Sequence, residues 1–131
     1  MNRPSFLRRL LQSKWSWRVL LASLLLVVSW LALTPSPPSD VDTGWDKLNH
    51  AMAFAALMVA AIFSGRRSQG RLLAAMLLLL AFGGAIELLQ LQVPGRDADL
   101  ADLLADGVGM AIGLTTSLLA RLALGTVDRT G

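Results

Sequence analysis

Four apolar stretches separated by short polar turns leave this chain few ways to fold. The first runs from Val19 to Leu33 and the second through Ala51 to Phe63. The third covers Leu72 to Gln92, and the fourth runs from about Asp99 to Leu124 and ends at Gly125. The third and fourth reach the roughly 20 residues a helix needs to cross about 30 Å of hydrocarbon; the first is short but is extended by the tryptophans and Arg18 before it, and the helix of the second starts earlier, near Thr43. A hydrophobic content of 54% in 131 residues, with 16% charged, leaves too little polar surface for a water-soluble domain of this size. The fold class expected is therefore all-α, a polytopic membrane protein with four transmembrane helices in a small bundle. Residues 1–18 form a basic N-terminus, 19–124 the transmembrane domain and 125–131 a C-terminal tail.

The first stretch is flanked by Trp15, Trp17 and Arg18, the usual edge of a spanning helix. It is read as retained rather than as a cleaved leader, because no clear small-x-small site precedes Thr34. Prolines 35, 37 and 38 then stop it, and Thr43, with Asp46 three residues on, has the spacing of a helix cap for the second. Ten of the twelve basic residues, all but Lys47 and Arg96, fall at the N-terminus, in the 66–71 turn or near the C-terminal end. Eight of the nine acidic residues, all but Asp128, fall on or near the opposite side. Under the positive-inside rule both termini are expected in the cytoplasm. The formal net charge of +3 is spread over flanks of apolar segments, which suits a membrane surface and not nucleic acid. With no cysteine there is neither a disulfide framework nor a thiolate metal site.

Charged residues inside the apolar segments call for a reason, since an aspartate deep in a membrane helix costs roughly 2.5 to 3.5 kcal/mol on insertion scales. At about 100° per residue, Asp99, Asp102, Asp106, Gly109 and Gly113 lie within an arc of about 80° on one helix. That stripe should face other helices or a wet cavity. Asp46, His50 and Phe54 likewise share a face, and Glu87 and Gln90 mark the far end of the third helix. Asp46, Lys47, His50, Glu87, Gln90, Arg96, Asp99, Asp102 and Asp106 thus lie in the outer half of the membrane and can form one site. Glu87 is expected to pair with Arg96 across the Pro94-Gly95 turn, although it could instead accept from His50 or Lys47, or be protonated. Gly109 and Gly113 have small-xxx-small spacing and are read as a helix crossing.

These residues resemble the VanZ-like membrane proteins. The family pattern is Asp-Lys-x-x-His-x-x-x-Phe, then Glu-x-x-Gln, then Pro-Gly-Arg-x-x-Asp-x-x-Asp-x-x-x-Asn-x-x-Gly-x-x-x-Gly. This chain has Asp46-Lys47-Leu-Asn-His50-Ala-Met-Ala-Phe54, Glu87-Leu-Leu-Gln90, and Pro94-Gly95-Arg96 through Asp99, Asp102, Asp106, Gly109 and Gly113. The resemblance covers about residues 43 to 115, and Asp106 stands where the pattern has Asn. It implies a small helical protein of the bacterial cytoplasmic membrane, in a family named for a member linked to low-level teicoplanin resistance.

Three function classes are compatible with such a cluster. In the first, it binds a lipid headgroup, a lipid-linked cell-wall intermediate or a glycopeptide, with Arg96 and Lys47 facing phosphate. In the second, His50 or Glu87 acts as acid or base in an intramembrane enzyme, with the aspartates orienting it or holding a hard divalent metal. Proton or ion translocation ranks last, because no titratable chain reaches the cytoplasmic half.

Overall fold

The computed structural model describes residues 13–36, 38, 40, 44–66 and 68–127, with side chains of the last helix described through Ala123. The described residues form four helices and no strand: α1 (Lys14–Leu33), α2 (Asp46–Phe63), α3 (Gln69–Gln90) and α4 (Leu100–Val127). All four are long and apolar enough to cross a membrane. Their outward faces carry large exposed hydrophobics such as Leu26, Trp30, Leu78 and Leu104, as expected where the solvent is lipid.

α2 and α4 pack most closely, and the glycine stripe explains why. A Cβ at Gly109 would fall against the Ala51 carbonyl, and one at Gly113 would lie 2.9 Å from the Met58 Cβ and against Ala55. Only hydrogen at these positions lets the two backbones approach, which is the small-residue logic of membrane crossings. The apolar core then forms from Phe54, Leu57 and Met58 of α2, Leu79 of α3 and Met110 of α4. By contrast α1 buries no residue fully and lays Leu21, Leu24, Leu25 and Val28 against this core.

The ends of the helices depart from the sequence reading in instructive ways. α1 begins at Lys14, not Val19, because Ser13 caps it and the amphipathic Trp15, Trp17 and Arg18 continue the helix. Thr43 lies outside the described residues; the cap position of α2 is Trp45, which makes no side-chain cap bond. α3 starts earlier than Leu72 because the Ser68 hydroxyl accepts from the Arg71 N–H at 3.2 Å. Gly125 does not end α4, which continues to Val127. A glycine inside a helix costs only about 1 kcal/mol, and Gly125 does not adopt the positive φ that would cap one. Gly95 does have a left-handed φ of 79°, so the Pro94-Gly95 turn between α3 and α4 closes as read.

Arginines gather at one end of the bundle, where they satisfy backbone that a bilayer leaves unpaired. The Arg18 Nε donates to the Ser64 carbonyl at 3.1 Å, and the Arg121 Nη2 to the Ile62 carbonyl at 2.9 Å. These are the orphan carbonyls at the end of α2, so the arginines act as its C-terminal cap. Arg121 also lies 5.0 Å over the Phe63 ring, whose other neighbour is Trp17 at 4.9 Å. Trp17 therefore ties α1 to α2.

Candidate functional site

The motif residues come together at the opposite end of the bundle, one turn in from the starts of α2 and α4 and the end of α3. His50 sits at the centre and is buried. Its Nδ1 is 2.8 Å from the Oδ1 of Asp106, a fully buried carboxylate projecting from α4. With Asp106 ionised, Nδ1 carries the hydrogen, which leaves the lone pair on Nε2. Nε2 lies 3.8 Å from the Oε1 of Glu87 on α3, and that oxygen is buried without a hydrogen-bond partner. Room for the Asp106 carboxylate is made by Gly83, where a Cβ would strike the Asp106 Oδ2 and approach the Phe54 ring to 3.1 Å.

Around this centre the remaining residues divide by role. Lys47 donates to the Oδ2 of Asp99 at 2.7 Å and reaches the Oδ1 of the buried Asp102 at 3.4 Å. The hydrogen-bonded ammonium holds the exposed Asp99 carboxyl below the usual aspartate range, helped by the Ala101 N–H. Asp99 is also the start of α4: its Oδ1 accepts from that N–H at 2.9 Å, in the manner of a helix cap. Its own N–H donates to the Oε2 of Glu87 at 2.9 Å, tying α3 to α4.

Arg96 is not the partner of Glu87 that the turn between them suggests. Its guanidinium donates to the carbonyls of Thr34 at 3.2 Å and Leu31 at 2.9 Å, and lies 3.8 Å from Asp46. Gln90 follows the same course and donates to the Ala32 carbonyl at 3.1 Å. The Thr34 hydroxyl takes the carbonyl of Trp30 at 2.6 Å. The orphan carbonyls at the end of α1 are thus capped by α3 and the turn after it, and this is where the planar fork of Arg96 is spent. The sequence pattern showed a cation beside a carboxylate. It could not show that proline-terminated α1 would bring a sharper demand for donors to the same place.

A cavity of about 310 Å³ opens beside His50, between α1 and α2. Leu24, Val27, Val28 and Met52 form an apolar wall, and Asp46, Asn49, His50, Gln90 and Arg96 form a polar end. Asn49 was not singled out by the sequence, where it occupies an unspecified position of the motif beside His50. Asp46, His50 and Asp102 each direct a ligand-type atom to within 4.8 Å of the others. A larger cavity of about 760 Å³ lies at the arginine-rich end, lined by Arg66, Arg71, Arg121 and mostly apolar residues, with no carboxylate or imidazole among the described residues that line it. The acid, base and ligand chemistry is at the smaller one.

The sequence model of the VanZ/LLP1 family matches residues 5–122, well beyond the motif stretch itself. No curated protein and no solved structure matches the chain.

Proposed function

The chain belongs to the VanZ/LLP1 family as a multi-pass helical membrane protein, and from that premise we propose that it binds a membrane amphiphile. The headgroup, of a phospholipid or a lipid-linked cell-wall intermediate, takes the polar end of the α1–α2 cavity, and the chain lies along the apolar wall. The observation that carries this reading is the two-sided lining: Leu24, Val27, Val28 and Met52 on one side, Asp46, Asn49, His50 and Gln90 at the other end. With the arginine-rich end in the cytoplasm, as the positive-inside rule directs, the cavity opens in the outer leaflet of the bacterial membrane. Its volume of about 310 Å³ is at the lower edge of the roughly 300–1,000 Å³ typical of small-molecule sites, which suits a headgroup and not a whole glycopeptide. A role in glycopeptide resistance would then be indirect, through the lipid.

The reading is tested with a lipid carrying a diazirine on its acyl chain, in nanodiscs. Labelling should concentrate on α1 and α2 and should fall when Ala53→Trp fills the cavity. Equal labelling of wild type and variant, or labelling confined to α3, would remove the cavity as the binding site.

One observation favours a second reading, acid–base chemistry on the bound lipid. Asp106, His50 and Glu87 form a buried line in which His50 is held at Nδ1 and faces Glu87 through Nε2. Time-dependent conversion of labelled lipid by wild type, abolished by His50→Gln, would turn the binder into an enzyme. No conversion over hours leaves binding as the function.

A further inference from the structure

The site is unbalanced in charge. Among the described residues, Asp46, Glu87, Asp99, Asp102 and Asp106 face only Lys47 and Arg96, so with every carboxylate ionised three negative charges of this set are uncompensated around one imidazole. Both cations are already engaged, Lys47 by Asp99 and Arg96 by the end of α1. A phosphate-bearing headgroup entering this cavity would meet acid, contrary to the expectation that Arg96 and Lys47 face it.

We propose that Asp46, His50 and Asp102 hold one divalent metal ion beside the polar end of the cavity, which Asp46 and His50 line. The three residues come from two elements with the needed geometry: Asp46 and His50 are one turn apart on α2, and Asp102 projects from α4. Their ligand atoms lie within 4.8 Å of one another. Atoms bound at about 2.1 Å to one ion are separated by about 3.0 to 4.2 Å, so small side-chain rotations close the set. His50 is prepared as a ligand. Its Nδ1 is engaged by a buried carboxylate, the outer-shell arrangement that fixes a metal-binding imidazole, and its Nε2, at 3.8 Å beyond hydrogen-bond distance of the Glu87 Oε1, is left as the ligand nitrogen.

An independent observation points to a ligand in the same cavity. Gln90 is only 2% exposed and lines this cavity, yet its Oε1 has no hydrogen-bond partner, while its Nε2 is occupied by Ala32. A buried amide oxygen without a donor is costly unless something electropositive meets it. An oxygen, nitrogen and oxygen set suits Mn²⁺ or Zn²⁺ better than Ca²⁺, because imidazole favours transition metals. Asp99 is not part of the set, as both its oxygens are taken by Lys47 and the α4 backbone. Asp46 and His50 also line the cavity, so a phosphate oxygen of the amphiphile held there would complete the coordination. That last step rests on the amphiphile reading; the metal site does not.

The probe is Mn²⁺ titrated into chelator-treated, full-length protein in detergent, with free Mn²⁺ read by electron paramagnetic resonance. Wild type should bind one ion per chain with a Kd below about 1 mM, within the span known for carboxylate-rich sites. His50→Gln and Asp102→Asn should weaken binding at least about tenfold, and Asp97→Asn should leave it unchanged. Lys47→Met should tighten it, since it removes a positive charge 3.4 Å from Asp102. A tighter site cannot be produced by misfolding, so this variant decides the matter if the others fail to fold. No saturable binding by wild type, or Lys47→Met binding more weakly, would overturn the metal site. A second titration uses dihexanoyl phosphatidic acid with Mn²⁺ or with EDTA. Affinity that falls at least about tenfold in EDTA supports the bridge. Equal affinity overturns the bridge but leaves the amphiphile reading. Mn²⁺ binding with no phosphatidic acid binding overturns the amphiphile reading and leaves the ion.

Discussion

Arg96→Met should destabilise the bundle by detaching the end of α1, and the contacts of Arg96 set the size of the effect. The guanidinium makes two charge-assisted hydrogen bonds to backbone carbonyls, at 2.9 Å to Leu31 and 3.2 Å to Thr34, and is itself largely buried at 17% side-chain exposure. A hydrogen bond to a charged group contributes about 1.5–3 kcal/mol, and the carbonyls it leaves sit near lipid where water cannot replace it fully. Allowing for partial rehydration at this part-buried end, the loss should be about 2–4 kcal/mol. The neighbouring Asp46 adds little, because at 3.8 Å and 45% side-chain exposure it is worth at most about 1 kcal/mol. The penalty of Arg96→Met should therefore survive in an Asp46→Asn background, reduced by no more than that amount. It should also add to that of Glu87→Gln within about 0.5 kcal/mol, since the two side chains share no partner. Arg96→Lys should recover only part of the loss, one ammonium being unable to span two carbonyls. The measurement is reversible unfolding in mixed micelles with Trp30 fluorescence as a local probe. A cost that vanishes with Asp46→Asn, or strong coupling to Glu87, would refute the capping argument.

Gly109→Ala should cost about 1–3 kcal/mol in the same unfolding assay, because the added Cβ meets the rigid Ala51 backbone, whereas Gly107→Ala, with open space around it, should be neutral or stabilise by up to about 1 kcal/mol. Gly83→Ala should push Asp106 off His50, read as a change in the imidazole nitrogen chemical shifts that Gly84→Ala does not produce. Asp99 should titrate below the usual aspartate range by carboxyl NMR, and Lys47→Met should raise it. Because the folded value is depressed, its stabilisation is present above about pH 4 and is lost as pH falls through the folded value, so acid should loosen the start of α4 first.

Periodicity made the four helices legible because their apolar lengths are set by a bilayer, and spacing made the stripe on α4 legible because 3.6 residues per turn is rigid. Asp102, Asp106, Gly109 and Gly113 accordingly face the bundle, with both aspartates and both glycines buried. Pairings across helices were not legible. Nothing in the spacing of Glu87 and Arg96 says that Glu87 will meet His50 and the Asp99 N–H while Arg96 turns to α1. That outcome depends on where α1 ends in space, and its last carbonyls bind Arg96 and Gln90 without appearing in any side-chain motif. Asn49 was missed for a related reason: its place in the cavity follows from the rotation of α2, which a single motif position does not reveal.

The cluster is an expense the fold does not require. Carboxylates such as Glu87, Asp102 and Asp106 each oppose insertion by a few kcal/mol, and buried ion pairs are commonly no better than well-packed apolar groups of the same volume. The core of Phe54, Leu57, Met58, Leu79 and Met110, together with the glycine crossing of α2 and α4, already joins the helices. If packing were all that His50 and Asp106 served, leucines would do it with less desolvation. Instead the chain clears space for the Asp106 carboxylate with Gly83, aims an imidazole with it, and leaves the Gln90 and Glu87 oxygens buried and unmatched. Groups kept in so unfavourable a state are the mark of a site whose balance is completed from outside the chain. On the proposed reading the cavity beside His50 is where that completing group enters, and a metal ion there would offset the excess of acid that the packing of the four helices does not need.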